Sequence, residues 1–212
     1  GGVFAPSQDI LSLYGNGDVR RKETIMLPGD TYPNVLAKLG SGFGPLVVPP
    51  ADQIGGQGAG AAIKKYCIGI VNGANTGPAD NWAMMDNNTY IMRYADLLLI
   101  HAEAILAGGG SSSDASALSS LNAVRNRAGL PSVSSFTFND LFLERRKELA
   151  FEGDYWFDLG RIPRSQAISI MAAQNRGDRN NAQFFTPEES DFTLPYPSNE
   201  IAKNPLLLEP PV

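Results

Sequence analysis

The chain has 212 residues, 43% of them apolar, with 22 glycines, 15 prolines and a formal net charge of −5. That length supports one substantial core or two small ones, and the negative balance leaves no basic footprint for nucleic acid or an anionic membrane. A single cysteine, Cys67, excludes an intrachain disulfide, and no apolar run approaches the roughly eighteen residues of a membrane-spanning helix.

Residues 1–88 read as irregular, because Pro6, Gly15, Gly17, Pro28, Gly29 and Pro33 leave room only for short elements. The run 40–60 is rich in glycine and proline and is expected to be a loop. Residues 61–71 have enough β-branched and aromatic side chains for one strand, and 72–88 is turn-rich around Trp82. A structureless stretch this long either serves a function or drapes over structure the chain does not contain.

From Thr89 the pattern changes. Ile91, Tyr94, Ala95, Leu98, Ala102 and Ile105 recur at helical spacing. Leu97, Leu99 and Ile100 widen that face, so a helix buried on most sides is expected. Gly108–Gly110 stop it, and Ser111–Ser113 supply an N-cap for a second helix over 114–128. Ala117, Leu121, Val124 and Ala128 form its stripe, Arg125 and Arg127 suit its C-terminal end, and Gly129 closes it. A third helix is predicted from near Asn139 to Glu152, with Gly153 in the left-handed position beyond it. A short element over Trp156–Leu159 and a further helix over Ser165–Gln174 follow. After Asn175 the chain is polar and then proline-rich, suiting an extended C-terminal strap with one helical turn near Ser198. The fold class is therefore mainly α, with helical hairpins stacked under long irregular loops. The organisation is a loop-rich ligand-side segment 1–88, helical repeats 89–175 and an extended segment 176–212, together one domain.

The segment 144–158 mixes acids, bases and aromatics at close spacing. Its charges can pair along a helix, as Arg145 with Glu148 would. Charges set between apolar segments are buried as paired networks, and Arg93, Asp96, Arg145, Arg146, Glu148, Glu152, Asp158 and Arg161 are the residues expected to hold the helices together this way. Glu148 and Glu152 lie one turn apart on a single helix, whereas glycoside hydrolysis needs two carboxylates facing a sugar from opposite sides. They read as ion-pair partners, so no catalytic residue is assigned. His101, the one histidine, has no Cys/His cluster around it for zinc. Asp178–Asn181 lacks the spacing and terminal glutamate of a calcium loop, so neither metal nor cofactor is expected. Sugar rings stack on exposed aromatic planes while amides and carboxylates fix their hydroxyls. Trp82 with neighbouring Asn81 is the first candidate for such a platform, followed by Tyr32 and Phe43; Tyr155 and Trp156 read as structural.

Five blocks then resemble the SusD/RagB nutrient-binding outer-membrane lipoproteins of Bacteroidetes. They are Arg93–Ala104 (RYADLLLIHAEA), Leu121–Leu130 (LNAVRNRAGL), Glu144–Gly153 (ERRKELAFEG), Trp156–Arg161 (WFDLGR) and the closing Leu194–Pro197 (LPYP) with Asn204–Pro205. Asp18–Arg20 and Lys65–Tyr66 are weaker matches upstream. The resemblance implies tetratricopeptide-like helix pairs in an α–α superhelix, a ligand face on loops outside the repeats, and no catalysis. It implies capture of an oligosaccharide, or in some relatives a peptide, at the cell surface for a SusC-like TonB-dependent transporter. Against that family the chain reads as a C-terminal fragment, with the lipid anchor that would bind it to the outer membrane absent from these residues. A helical-repeat scaffold that binds only another protein is the alternative.

Overall fold

The computed structural model describes residues 5–39, 42–54, 60–67, 70–71, 74–75, 89–177 and 181–208, with backbone alone for 36–39, 42–43, 70–71 and 74–75. Among these residues the helices are α1 (Gln8–Ser12), α2 (Arg20–Thr24), α3 (Tyr94–Leu106), α4 (Ala115–Arg127), α5 (Phe138–Glu148), α6 (Asp154–Gly160), α7 (Arg164–Ala172) and α8 (Ser198–Lys203). The strands are β1 (Ile25–Met26), β2 (Thr31–Leu39), β3 (Gly42–Val47), β4 (Ala62–Ile63), β5 (Ile70–Val71), β6 (Ala74–Asn75), β7 (Ser111–Ser112) and β8 (Phe136–Thr137). They pair only as antiparallel two-stranded ladders, β1 with β4, β2 with β3, β5 with β6 and β7 with β8. The architecture is mainly helical, as the periodicity required.

The main core forms where α3, α4 and α5 meet. Leu99, Ala102 and Leu106 of α3 pack on Ala117, Leu121 and Val124 of α4, with Phe136 and Leu141 closing the cluster. A second cluster joins Phe142 of α5 to Leu159 of α6, Ile162, and Ala167 and Met171 of α7. A third seats the N-terminal segment on the end of α5 through Ile10, Ile25, Ala61 and Ala150. Met26, Tyr32 and Val48 form the fourth, under the β2–β3 ribbon.

Four expectations are corrected. The run 40–60 is not simply a loop, because its residues 42–47 pair with β2. Both strands of a two-stranded ribbon are edges, so Pro33 and Pro45 are tolerated there. Helix α3 buries Asp96, Leu99, Ala102 and Leu106, whereas Ile91, Tyr94, Leu97 and Ile100 are exposed. Its apolar surface is wider than α4 and α5 can cover, and the face they cover is rotated from the one the spacing favoured. The N-cap of α4 is Asp114, whose Oδ1 accepts from the Ser116 and Ala117 amides at 2.9 and 3.0 Å, because a carboxylate at a helix N-terminus gains from both hydrogen bond and dipole. The preceding Ser111 and Ser112 pair with β8 instead. Finally, α5 starts from a capping box formed by Thr137 and Asp140 and ends at Glu148. Phe151 takes a left-handed φ of 66°, and Gly153, at φ 100°, directly precedes α6.

Candidate functional site

Helix α5 carries Glu144 and Glu148 one turn apart, and both are buried. Charges cannot be buried alone, since desolvation costs several kcal/mol per ion unless partners and hydrogen bonds compensate. The partners come from distant parts of the chain. Arg20 of α2 is oriented by Asp18, at 2.8 Å from Nε and 2.7 Å from Nη2. Its Nη1 donates to Glu144 at 2.7 Å and to Glu148 at 3.2 Å. Arg125 of α4 reaches Glu144 at 3.1 Å and Arg127 reaches Glu148 at 3.2 Å. Arg93, just before α3, donates to Glu148 at 3.3 Å and forks onto Glu152 at 2.6 and 2.8 Å. Lys65 pairs with Glu152 and donates to the carbonyls of Glu148 and Ala150 at 2.8 and 3.0 Å.

The other side of α5 forms a separate knot. Arg145 donates to Asp96 of α3 at 2.7 Å and to Asp158 of α6 at 3.1 Å. Arg161 donates to Asp158 at 2.9 Å and also pairs with Glu103. Arg146 pairs with Asp9 and lies 4.4 Å from the centre of the Tyr155 ring.

These contacts set the protonation behaviour. Burial alone would raise the Glu152 carboxyl, but hydrogen bonds from Arg93 and Lys65 outweigh it and hold the group below its ordinary value. Asp18 is likewise lowered, burial being outweighed by its hydrogen bonds from Arg20. Lys65 moves down because its burial outweighs the pull of Glu152. The arginines that bind this cluster, Arg20 and Arg93, move up despite burial through their carboxylate partners.

Above the network lies a pocket of about 480 Å³ lined by charged side chains, among them Arg20, Lys65, Arg93, Arg127 and Glu148, with Tyr90 as its aromatic member. Tyr90 is 40% exposed. Its ring stacks on Tyr66 at 5.6 Å and 29°, and the Arg93 guanidinium lies 5.9 Å from its centre. Tyr66 is anchored in turn, donating from Oη to the Phe151 carbonyl at 3.0 Å. The two carboxylates on the pocket wall are ion-paired: Glu148 with Arg20, Arg93 and Arg127, and Glu23 with Lys64 at 2.9 Å. The arrangement offers a held aromatic face beside fixed charged donors and acceptors.

All eight charged residues expected from the sequence lie in these pairings, but Arg145 and Glu148 do not pair with each other. They turn to opposite sets of partners, because buried ions on neighbouring elements outcompete a pair along one helix. Glu103, Glu144, Arg125, Arg127, Lys147, Asp9, Asp18, Arg20 and Lys65 also take part in the network and were not assigned to it. Asp18–Arg20 and Lys65 stood in the sequence as motif matches, without a signal that they reach α5. Among the ligand candidates, Trp82 and Asn81 lie outside the described residues, and so does the side chain of Phe43. Tyr32 is described and differs from its expected role. It is 5% exposed, and its Oη bonds the Lys22 carbonyl at 2.9 Å and the Asp30 Oδ2 at 3.3 Å, so its ring serves packing. Tyr90, at the C-terminal edge of the turn-rich stretch, was missed. His101 Nδ1 lies 2.9 Å from Ser120 Oγ on the α3–α4 hairpin. Among the described residues no group of three His, Cys, Asp or Glu side chains is placed to hold a metal ion.

Comparison with known proteins places these features in context. Residues 5–211 match the model of the SusD family. A SusD-like protein of Bacteroides ovatus is 30% identical over 244 aligned positions, which cover 97% of this chain and 42% of that protein. A crystal structure with xylogluco-oligosaccharide aligns at a TM-score of 0.74 and 28% identity over 97% of this chain and 46% of its own. Surface glycan-binding protein A from Bacteroides thetaiotaomicron, in complex with laminarihexaose, aligns at 0.60 and 25% identity over 95% of this chain and 39% of its own. The chain thus spans less than half the length of these relatives.

Proposed function

The chain belongs to the SusD family, and from that premise we propose that it serves non-catalytic binding of oligosaccharides at the bacterial cell surface, for delivery to a SusC-like TonB-dependent transporter in the outer membrane. The observation that carries the ligand class is Tyr90, which lines the charged pocket and is held by stacking on Tyr66. A pyranose presents a CH face that packs on an aromatic plane, while its ring of hydroxyls needs fixed donors and acceptors. The glycans carried by the xylogluco-oligosaccharide and laminarihexaose structures support the same class. Binding without turnover fits the state of the pocket carboxylates, since a group held by guanidinium or ammonium partners is poorly placed to act as acid, base or nucleophile. The transporter partner rests on the family alone. No helix among the described residues is long and apolar enough to cross a membrane.

Affinity electrophoresis through gels cast with neutral polysaccharides tests this reading. Retardation by a β-glucan or xyloglucan, weakened in Tyr90→Ala, is the expected result; migration unchanged in every gel overturns it. A protein-binding scaffold is the second reading, favoured by the exposed Tyr94, Leu97 and Ile100 on α3. It predicts no retardation in any gel.

A further inference from the structure

A second hollow, of about 530 Å³, lies on the other part of the turn that follows α5. Its apolar floor is Ile10, Leu149, Ala150 and Phe151, and its polar and aromatic wall is Arg146, Tyr155, Trp156, Gln174 and Arg176. None of these residues lines the Tyr90 pocket.

The aromatic wall is built to stay in place. Trp156 is 39% exposed and stacks on Phe192 at 5.5 Å with the planes 15° apart. Phe192 is covered in turn by the Arg164 guanidinium, 3.9 Å from its centre. Arg164 Nη1 is buried and has no hydrogen-bond partner, so this guanidinium is committed to the ring rather than to an acceptor. The indole is thus the outer plate of an Arg164–Phe192–Trp156 stack, supported on one face and lining the groove with its remaining surface. Beside it, Tyr155 is clamped between the Arg146 guanidinium and Gln174, whose Nε2 donates to the phenol Oη at 2.6 Å. A platform locked before the ligand arrives avoids the entropy cost of ordering it on binding.

The charge of the groove is as distinctive as its shape. Among the described residues two guanidiniums line it and no carboxylate does, in a chain whose net charge is −5. Arg146 is neutralised by Asp9. Arg176 is exposed, lies 5.7 Å from the centre of the Phe185 ring, and forms no ion pair among the described residues. A neutral sugar would use the indole and offer this cation only hydroxyl oxygens, a weaker partner than a carboxylate; a small inorganic anion would use the cation and leave the indole idle. A pyranose bearing a carboxylate uses both, with its CH face on the plate and its carboxylate taken by the guanidinium fork. We propose that this groove is a second glycan site, selective for uronic acid residues, with Trp156 as the platform and Arg176 as the carboxylate ligand. The sugar class rests on the glycan-binding reading above, but the residues are separate.

Titration calorimetry with a trigalacturonate and with a neutral trisaccharide, at low and high salt, tests the proposal. The acidic sugar is expected to bind about tenfold more tightly than the neutral one, the margin of a charge-assisted bond, and to weaken as salt screens the exposed cation. Arg176→Gln, at an exposed site, is expected to abolish that margin with helix content intact. Equal affinities for the two sugars, or a preference that survives Arg176→Gln, overturn the proposal even if neutral glycans bind at Tyr90. A uronate preference that Arg176→Gln removes, in a protein that no neutral glycan retards, upholds this groove while the Tyr90 reading fails.

Discussion

Arg145 is the point at which the helical scaffold is most open to a single test. Its guanidinium is buried and joins α5 to Asp96 of α3 and Asp158 of α6, at 2.7 and 3.1 Å. Arg145→Met keeps the length of the side chain and removes the charge. Asp158 then retains Arg161 at 2.9 Å, but Asp96 loses the one ion pair it makes among the described residues. Stranding a buried ion costs about 3–5 kcal/mol, and because one of the two carboxylates keeps a partner the low end applies, about 3 kcal/mol. Urea unfolding followed by far-UV circular dichroism measures it as a lower midpoint at unchanged slope. Adding Asp96→Leu removes the stranded charge, so the double variant should recover part of the loss, with a coupling of about 2 kcal/mol in the cycle. A cost below about 1 kcal/mol, the range of exposed pairs, would refute the idea that this network carries the scaffold.

Other consequences follow from the same structure. Asp18, Asp30 and Glu152 all titrate below their ordinary values, burial being outweighed by bonds from Arg20, Arg21, and Arg93 with Lys65 respectively. Groups with depressed folded values contribute stability that is fully present above their unfolded values, about pH 4, and is lost as pH falls through the lower folded ones. The urea midpoint should therefore drop steeply below about pH 4, and a flat profile there would count against the ion pairs. Thr137→Ala removes one half of the α5 capping box and should cost about 1 kcal/mol in the same assay; no change would mean that the cap is replaced by solvent. Gly153→Ala places a Cβ at a φ of 100° and should cost about 1–2 kcal/mol although no atom crowds the site. An unchanged midpoint would show that the turn before α6 relaxes.

How much of this was legible depends on where the information lies. Helix α4 was readable because Ala117, Leu121 and Val124 recur at one phase, and all three are buried. Helix α3 was readable as a helix, and Ala95, Leu98, Ala102 and Ile105 of its expected face do pack on the core, but the run Leu97 to Ile100 blurs its phase, and contact with α4 and α5 selects Leu99. The β2–β3 ribbon was hidden by glycines and prolines that an edge strand tolerates. In the site, the charged residues of 144–158 announced a network through their apolar neighbours. Their partner Arg20 lies more than a hundred positions away in sequence, and no local pattern reports such a pairing. Tyr32 stood second to Trp82 as a platform candidate, yet the hydrogen bonds of its phenol fix it inward. Tyr90 became visible as a candidate only when the fold set it against Tyr66. Trp156 was expected to be structural; it stacks on Phe192 yet stays part-exposed and lines the groove proposed for uronates.

The claim that a glycan binds at the Tyr66–Tyr90 pocket is tested most directly by isothermal titration of laminarihexaose and a xylogluco-oligosaccharide into the protein and into Tyr90→Ala, with helix content checked for both. The account predicts saturable binding of at least one ligand, weakened about tenfold in the variant, as loss of one stacking face requires. Binding that is equally strong in Tyr90→Ala, or absent for both ligands in the unaltered chain, would contradict it.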